Sequence, residues 1–236
     1  MKRRLVAALL LGACLVLPVA PAADSDGEKS KEALKALQDF IGGWKGSGGP
    51  LRPRPGAPIW NETLDWSWRF KGGDATLALK IEKGKHFKGG ELRYLPDKKI
   101  YQFTAEDAKG QKRVFEGTLK NDYLTLERVD ADTKESQKIV MNLAGDGVRF
   151  IYRHDHKGEG KTLWVNDFQV ASTKIGESLG ATEKKNECVV SGGVGTMTVS
   201  FKGETFYVCC SGCRDEFNAN PEKYVREFKA KKAGKK

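Results

Sequence analysis

IWNETLDWSWRF, residues 59–70, alternates: Leu64, Trp66, Trp68 and Phe70 fall on one side, Asp65, Ser67 and Arg69 on the other. A period of two is the signature of a strand with one face turned to a core. The same period returns at Leu77, Leu79 and Ile81, and again at Val148, Phe150 and Tyr152. Between such runs lie YLPDKK, AEDAKG, LKND and HDHKGEG, all rich in turn formers. About nine or ten strands fit before Thr173, which predicts a mainly β unit, an antiparallel barrel or sandwich.

Upstream of this run the period changes. In KEALKALQDFI, residues 31–41, Leu34, Leu37 and Ile41 share a helical face with Ala33 and Phe40 beside it, and Gly42-Gly43 ends the helix. The segment GSGGPLRPRPGAPI, Gly46 to Ile59, reads as a long surface loop over a barrel rim. A short helix followed by Gly42-Gly43-Trp44 and a strand meander resembles the lipocalin-like (calycin) group. The resemblance covers residues 31–175. It implies a closed barrel with Trp44 at one end and an interior able to hold a small apolar ligand.

Trp60, Trp66 and Trp68 share one face of their strand. The plainer reading makes them core, because a small barrel fills itself with its own side chains. The sharper one makes them the lining of a pocket for an apolar or planar molecule. His154 and His156, two apart in RHDHKGEGK, read either as a polar hairpin end or as a pair able to chelate a metal. No nucleophile elbow, phosphate loop or H-E-x-x-H is present, and the chain is not expected to be an enzyme.

The first residues, MKRRLVAALLLGACLVLPVAPA, carry a basic start, an apolar run and an Ala20-Pro21-Ala22 processing site. Residues 1–22 therefore read as a secretory signal, placing the protein in the periplasm or cell envelope. Lipid anchoring at Cys14, in Leu11-Gly12-Ala13-Cys14, is the lesser alternative. The formal net charge of +10 is concentrated in part in the tail, residues 229–236, where Lys229, Lys231, Lys232, Lys235 and Lys236 crowd. That run reads as a solvated tail, or as a contact for an anionic envelope surface. Nucleic acid is not an expected partner, since no aromatics interleave with the basic residues.

Apart from Cys14, the cysteines are Cys188, Cys209, Cys210 and Cys213, all in the last fifth of the chain. GESLGATEKKNE, residues 176–187, has the composition of a linker before them. Met197, Val199 and Phe201, then Phe206 and Val208, predict a hairpin turning at Lys202-Gly203-Glu204. Ser211-Gly212 leads into a short helix carrying Cys213 and Phe217, and Asn220-Pro221 opens another with Tyr224, Val225 and Phe228 inward. The cysteines thus meet at a strand end and a helix start. This is a small α+β, treble-clef or zinc-ribbon-like arrangement able to gather thiolates on one ion. A disulfide is the competing reading in an oxidising compartment. A unit this small needs a staple of one kind or the other.

The run at residues 188–228 resembles the TRASH/YHS group of small metal-binding domains. Twenty residues separate Cys188 from Cys209, three separate Cys209 from Cys213, and Phe206-Tyr207-Val208, Phe217 and NPEKY complete the pattern. The resemblance implies Cys188, Cys209 and Cys213 as metal ligands, with Cys210 a fourth ligand or a companion. The Tyr-His-Ser triplet of one branch is absent, since Val208 follows Tyr207. Thiolate donors favour zinc or copper(I).

Overall fold

The computed structural model describes residues 26–176 and 186–234. The expected signal segment 1–22 with Cys14, most of the 176–187 linker, and Lys235 and Lys236 lie outside the described residues.

A helix α1 (Asp26–Lys35) and a 3₁₀ turn (Gln38–Phe40) precede ten strands. These are β1 (Gly42–Gly49), β2 (Trp60–Lys71), β3 (Asp74–Glu82), β4 (Phe87–Leu95), β5 (Ile100–Asp107), β6 (Lys112–Lys120), β7 (Tyr123–Val129), β8 (Ser136–Ala144), β9 (Arg149–Lys157) and β10 (Val165–Lys174). Each strand pairs antiparallel with the next, and β1 pairs with both β2 and β10, so the sheet closes on itself and leaves no edge along most of its length. A smaller unit follows: a hairpin of β11 (Met197–Phe201) and β12 (Glu204–Val208), then α2 (Ser211–Ala219) and α3 (Pro221–Ala233).

The mainly β, closed antiparallel architecture is thus the expected one, and the hairpin turns at Lys202-Gly203 as read from the sequence. Three boundaries differ. The first helix begins before Lys31 and gives way after Lys35 to tighter turns, where Ala36 and Leu37 donate to Ala33 and Leu34. The tightening keeps Leu34, Leu37 and Phe40 all buried over the barrel end. Gly46–Gly49 belong to β1 rather than to a loop: they pair with β10 and, as far as Gly48, with β2, and glycine at 48 leaves room for the Trp60 ring, 2.2 Å from where a Cβ would stand. The described part of the basic run is helical: α3 continues through Ala233, with ion pairs from Lys229 to Glu204 and Lys231 to Glu187.

The barrel interior is solid. Trp44, Trp66, Trp68, Phe115 and Phe150 are fully buried, and Trp44 caps the helix-covered end by donating its Nε1–H to the Phe40 carbonyl at 2.8 Å. The cavity between Leu79, Phe103, Met141, Phe150 and Tyr152 amounts to 10 Å³, room for about one water. Trp66 and Trp68 point into this packing, whereas Trp60 is half-buried at the far end and donates to the Glu62 carboxylate at 2.7 Å. None of the three lines that cavity: Trp66 and Trp68 are packed in the core, and Trp60 is half-buried at its edge.

Candidate metal centre

The four cysteines converge because three short elements meet. Cys188 opens a tight turn, Cys-Val-Val-Ser-Gly-Gly, closed by the Cys188 N–H on the Gly193 carbonyl at 2.7 Å and the Gly192 N–H on the Cys188 carbonyl at 2.9 Å. Val189 donates to the Tyr207 carbonyl, which stitches this turn to β12. Strand β12 ends at Val208 and delivers Cys209 and Cys210; Cys210 is extended and caps α2, whose first turn carries Cys213. A helix N-terminus concentrates partial positive charge and so favours sulfur as thiolate.

The sulfurs of Cys188, Cys209 and Cys213 lie within 4.8 Å of one another, with Cys209 and Cys213 3.5 Å apart. Cys210 Sγ is 3.8 Å from Cys209 Sγ and stands outside that trio. All four residues are buried, Cys213 at 0 % exposure, and all four are free thiols. Such crowding forces the group to share protons: the S–H groups of Cys209 and Cys213, one proton each, between them favour thiolate at Cys188 and Cys210. Cys209 and Cys213 are correspondingly held as thiols.

Two further groups serve the cluster that no spacing rule had singled out. Ser191 is buried; its backbone N–H donates to Cys188 Sγ at 3.5 Å and its hydroxyl meets Cys209 Sγ at 3.4 Å. The signal was present in the Ser-Gly-Gly that turns the chain three residues after Cys188. The second is the Trp68 backbone N–H, which donates to Cys210 Sγ at 3.4 Å from the barrel wall. Lys31 of α1 adds a cation nearby, over the rings of Tyr224 and Phe70 at 4.9 and 5.5 Å. Burial, with Lys35 and Lys223 close by, lowers its pKa.

Three buried sulfurs at ligand spacing, each flanked by N–H, O–H or S–H donors, fit a soft or borderline ion. Hard cations, which demand oxygen ligands, do not suit the set. Val189, Val190, Val208, Phe206, Phe217 and Tyr224 of the same unit are buried with the cysteines in one continuous apolar core.

The histidines are differently placed. His154 and His156 share a face of β9, but their Nδ1 atoms engage the two oxygens of Asp167 at 2.7 and 2.6 Å. His86 stacks on Phe168 with centroids 4.1 Å apart, at the same barrel end. Among the described residues the cysteine trio is the group with metal-ligand spacing.

No protein-family model matches the chain, and no curated protein matches it. Among solved structures, the crystal structure of Rv2717c from M. tuberculosis is similar at 15 % identity with a TM-score of 0.39, covering 60 % of this chain and 96 % of that one.

Proposed function

We propose that this chain is an exported metal-binding protein that holds or passes on a soft ion, zinc or copper(I), through its C-terminal cysteines. The observation that carries the reading is the trio Cys188, Cys209 and Cys213, buried and mutually within 4.8 Å. The cysteine spacing, the aromatic strand before it and the NPEKY helix start support a TRASH/YHS-like unit. The basic, apolar and Ala-x-Ala pattern of residues 1–22 supports export. When bound, the ion supplies a cross-link between the Cys188 turn, the end of β12 and the start of α2. The protein's own part is to hold three sulfurs together, keep water out, and orient Cys188 and Cys209 through Ser191. The barrel is the scaffold on which this unit rests.

The test is elemental analysis of the chain purified without oxygen or chelator, with free thiols counted in parallel. About one equivalent of zinc or copper per chain, lost in Cys213→Ser, is the expected result. A metal-free chain with two or four thiols missing would establish a disulfide staple instead.

A further inference from the structure

Strand β2 outruns its neighbour. Its pairing with β1 starts at Gly42↔Trp66, so Ser67–Lys71 extend past the beginning of β1, while the other side of β2 stays paired with β3 through Lys71↔Asp74. A strand overhang presents backbone N–H and C=O groups that must find partners. The start of α2 covers this one. Trp68 N–H donates to Cys210 Sγ, and the Trp68 carbonyl lies so close to Gly212 that an added Cβ would stand 1.7 Å from its oxygen. One residue of the barrel, through its N–H and its C=O, therefore meets both the residue after Cys209 and the start of the helix that carries Cys213.

Cys210 is thus the one thiol of the four tied to the barrel and outside the sulfur trio. A tetrahedral ion bonded to sulfur at about 2.3 Å needs all four sulfurs roughly 3.8 Å apart. Cys210 already meets that spacing to Cys209. Completing the tetrahedron requires its sulfur to close on the trio, which shifts it relative to the Trp68 N–H that now holds it. A trigonal ion is satisfied by the trio and asks for no such movement.

We propose that Cys210 sets the coordination number of the site: a four-coordinate ion draws it in as a fourth thiolate, and a three-coordinate ion leaves it on the Trp68 N–H. The barrel edge then acts as a selectivity element, favouring copper(I) over zinc. This rests on the metal-binding reading above and adds to it a role for the barrel.

The experiment compares zinc(II) and copper(I) affinities, by chelator competition, for the wild-type chain, Cys210→Ser and Cys213→Ser. Cobalt(II) absorption serves as a probe of thiolate number, and tryptophan emission follows the barrel edge. In Cys210→Ser, zinc affinity falls at least tenfold and the cobalt spectrum loses one thiolate, while copper(I) affinity stays within about threefold. Zinc shifts tryptophan emission in the wild type and not in Cys210→Ser; copper(I) shifts it in neither. Equal losses for both ions would make Cys210 a resident ligand, and unchanged affinity for both would make it a bystander; either overturns the proposal while leaving the trio intact. If Cys213→Ser binds both ions as tightly as the wild type, the metal-site reading itself falls.

Discussion

The barrel and the cysteine unit solve the problem of stability in opposite ways. Of the largest fully buried side chains, Trp44, Trp66, Trp68, Phe115, Phe150, Leu34, Leu64, Leu77, Leu92, Leu124 and Leu126 all belong to the barrel and its helix, and Phe217 alone to the cysteine unit. The barrel is thus held chiefly by apolar burial, at roughly 25 cal/mol per Å² removed from water. The cysteine unit spends its centre on four thiols, whose burial gains little and whose crowding leaves protons to share. A small unit of this kind is held by what its polar centre binds. The two parts should therefore fail separately, and each of the following changes is directed at one side of that contrast.

The largest effect is expected from Cys213→Ser. It removes the most deeply buried member of the trio, so the ion is lost and the elements from Cys188 to α3 become labile. Hydrogen exchange should show loss of protection confined to residues 186–234, with the barrel strands still protected. Collapse of protection throughout the barrel would erase the distinction between the two parts.

Trp66→Ala attacks the other side. Its ring packs against Phe40, Phe103 and Phe150, and removing it leaves a cavity worth about 3–5 kcal/mol of barrel stability. Thermal unfolding should shift strongly while metal content per folded chain does not change. Restoration of the lost stability by an added apolar ligand would instead reveal a carrier, and would revive the reading of Trp60, Trp66 and Trp68 as a binding face.

Gly212→Ala acts on the seam between the parts. Its Cβ would meet the Trp68 carbonyl, and relieving that contact by moving α2 should cost about 1–3 kcal/mol. Both transitions should soften, because the overhang of β2 loses its cover as the cysteine unit loses its footing.

What the sequence disclosed follows the same division. The barrel was legible wherever Leu, Trp and Phe alternate with charge, as along β2, because burial on one face of a strand enforces that period. It was illegible in β1, where Gly46 and Gly48 take no part in the alternation: they make room for Ser172 and for the Trp60 ring, neighbours that only pairing brings near. The cysteine trio was legible because ligand spacing is local chemistry. Trp68 was not readable as its partner, since the donor is a backbone N–H 142 residues before Cys210. The helical end of the basic run escaped for a similar reason: Lys229 and Lys231 look solvated until Glu204 and Glu187 are placed beside them.

The smallest effect concerns a charge inside the barrel itself. Glu62 is 3 % exposed on the inward face of β2, accepting from the Tyr152 hydroxyl at 2.6 Å and from Trp60 Nε1 at 2.7 Å. Burial raises its pKa above the ordinary 4.5, and the two donors only partly oppose that. The folded chain therefore holds the Glu62 proton more tightly than the unfolded chain does. Its contribution to stability is fully present below about pH 4.5 and is lost as pH rises through the folded value. Glu62→Gln, which keeps an acceptor for Trp60 or Tyr152 and carries no charge, should flatten the fall of barrel stability across that window and leave metal affinity unchanged. The check is denaturant unfolding of both proteins from pH 4 upward. A steeper decline in the variant would mean that the two donors outweigh burial, and that the barrel tolerates a carboxylate in its core because Tyr152 and Trp60 hold it there.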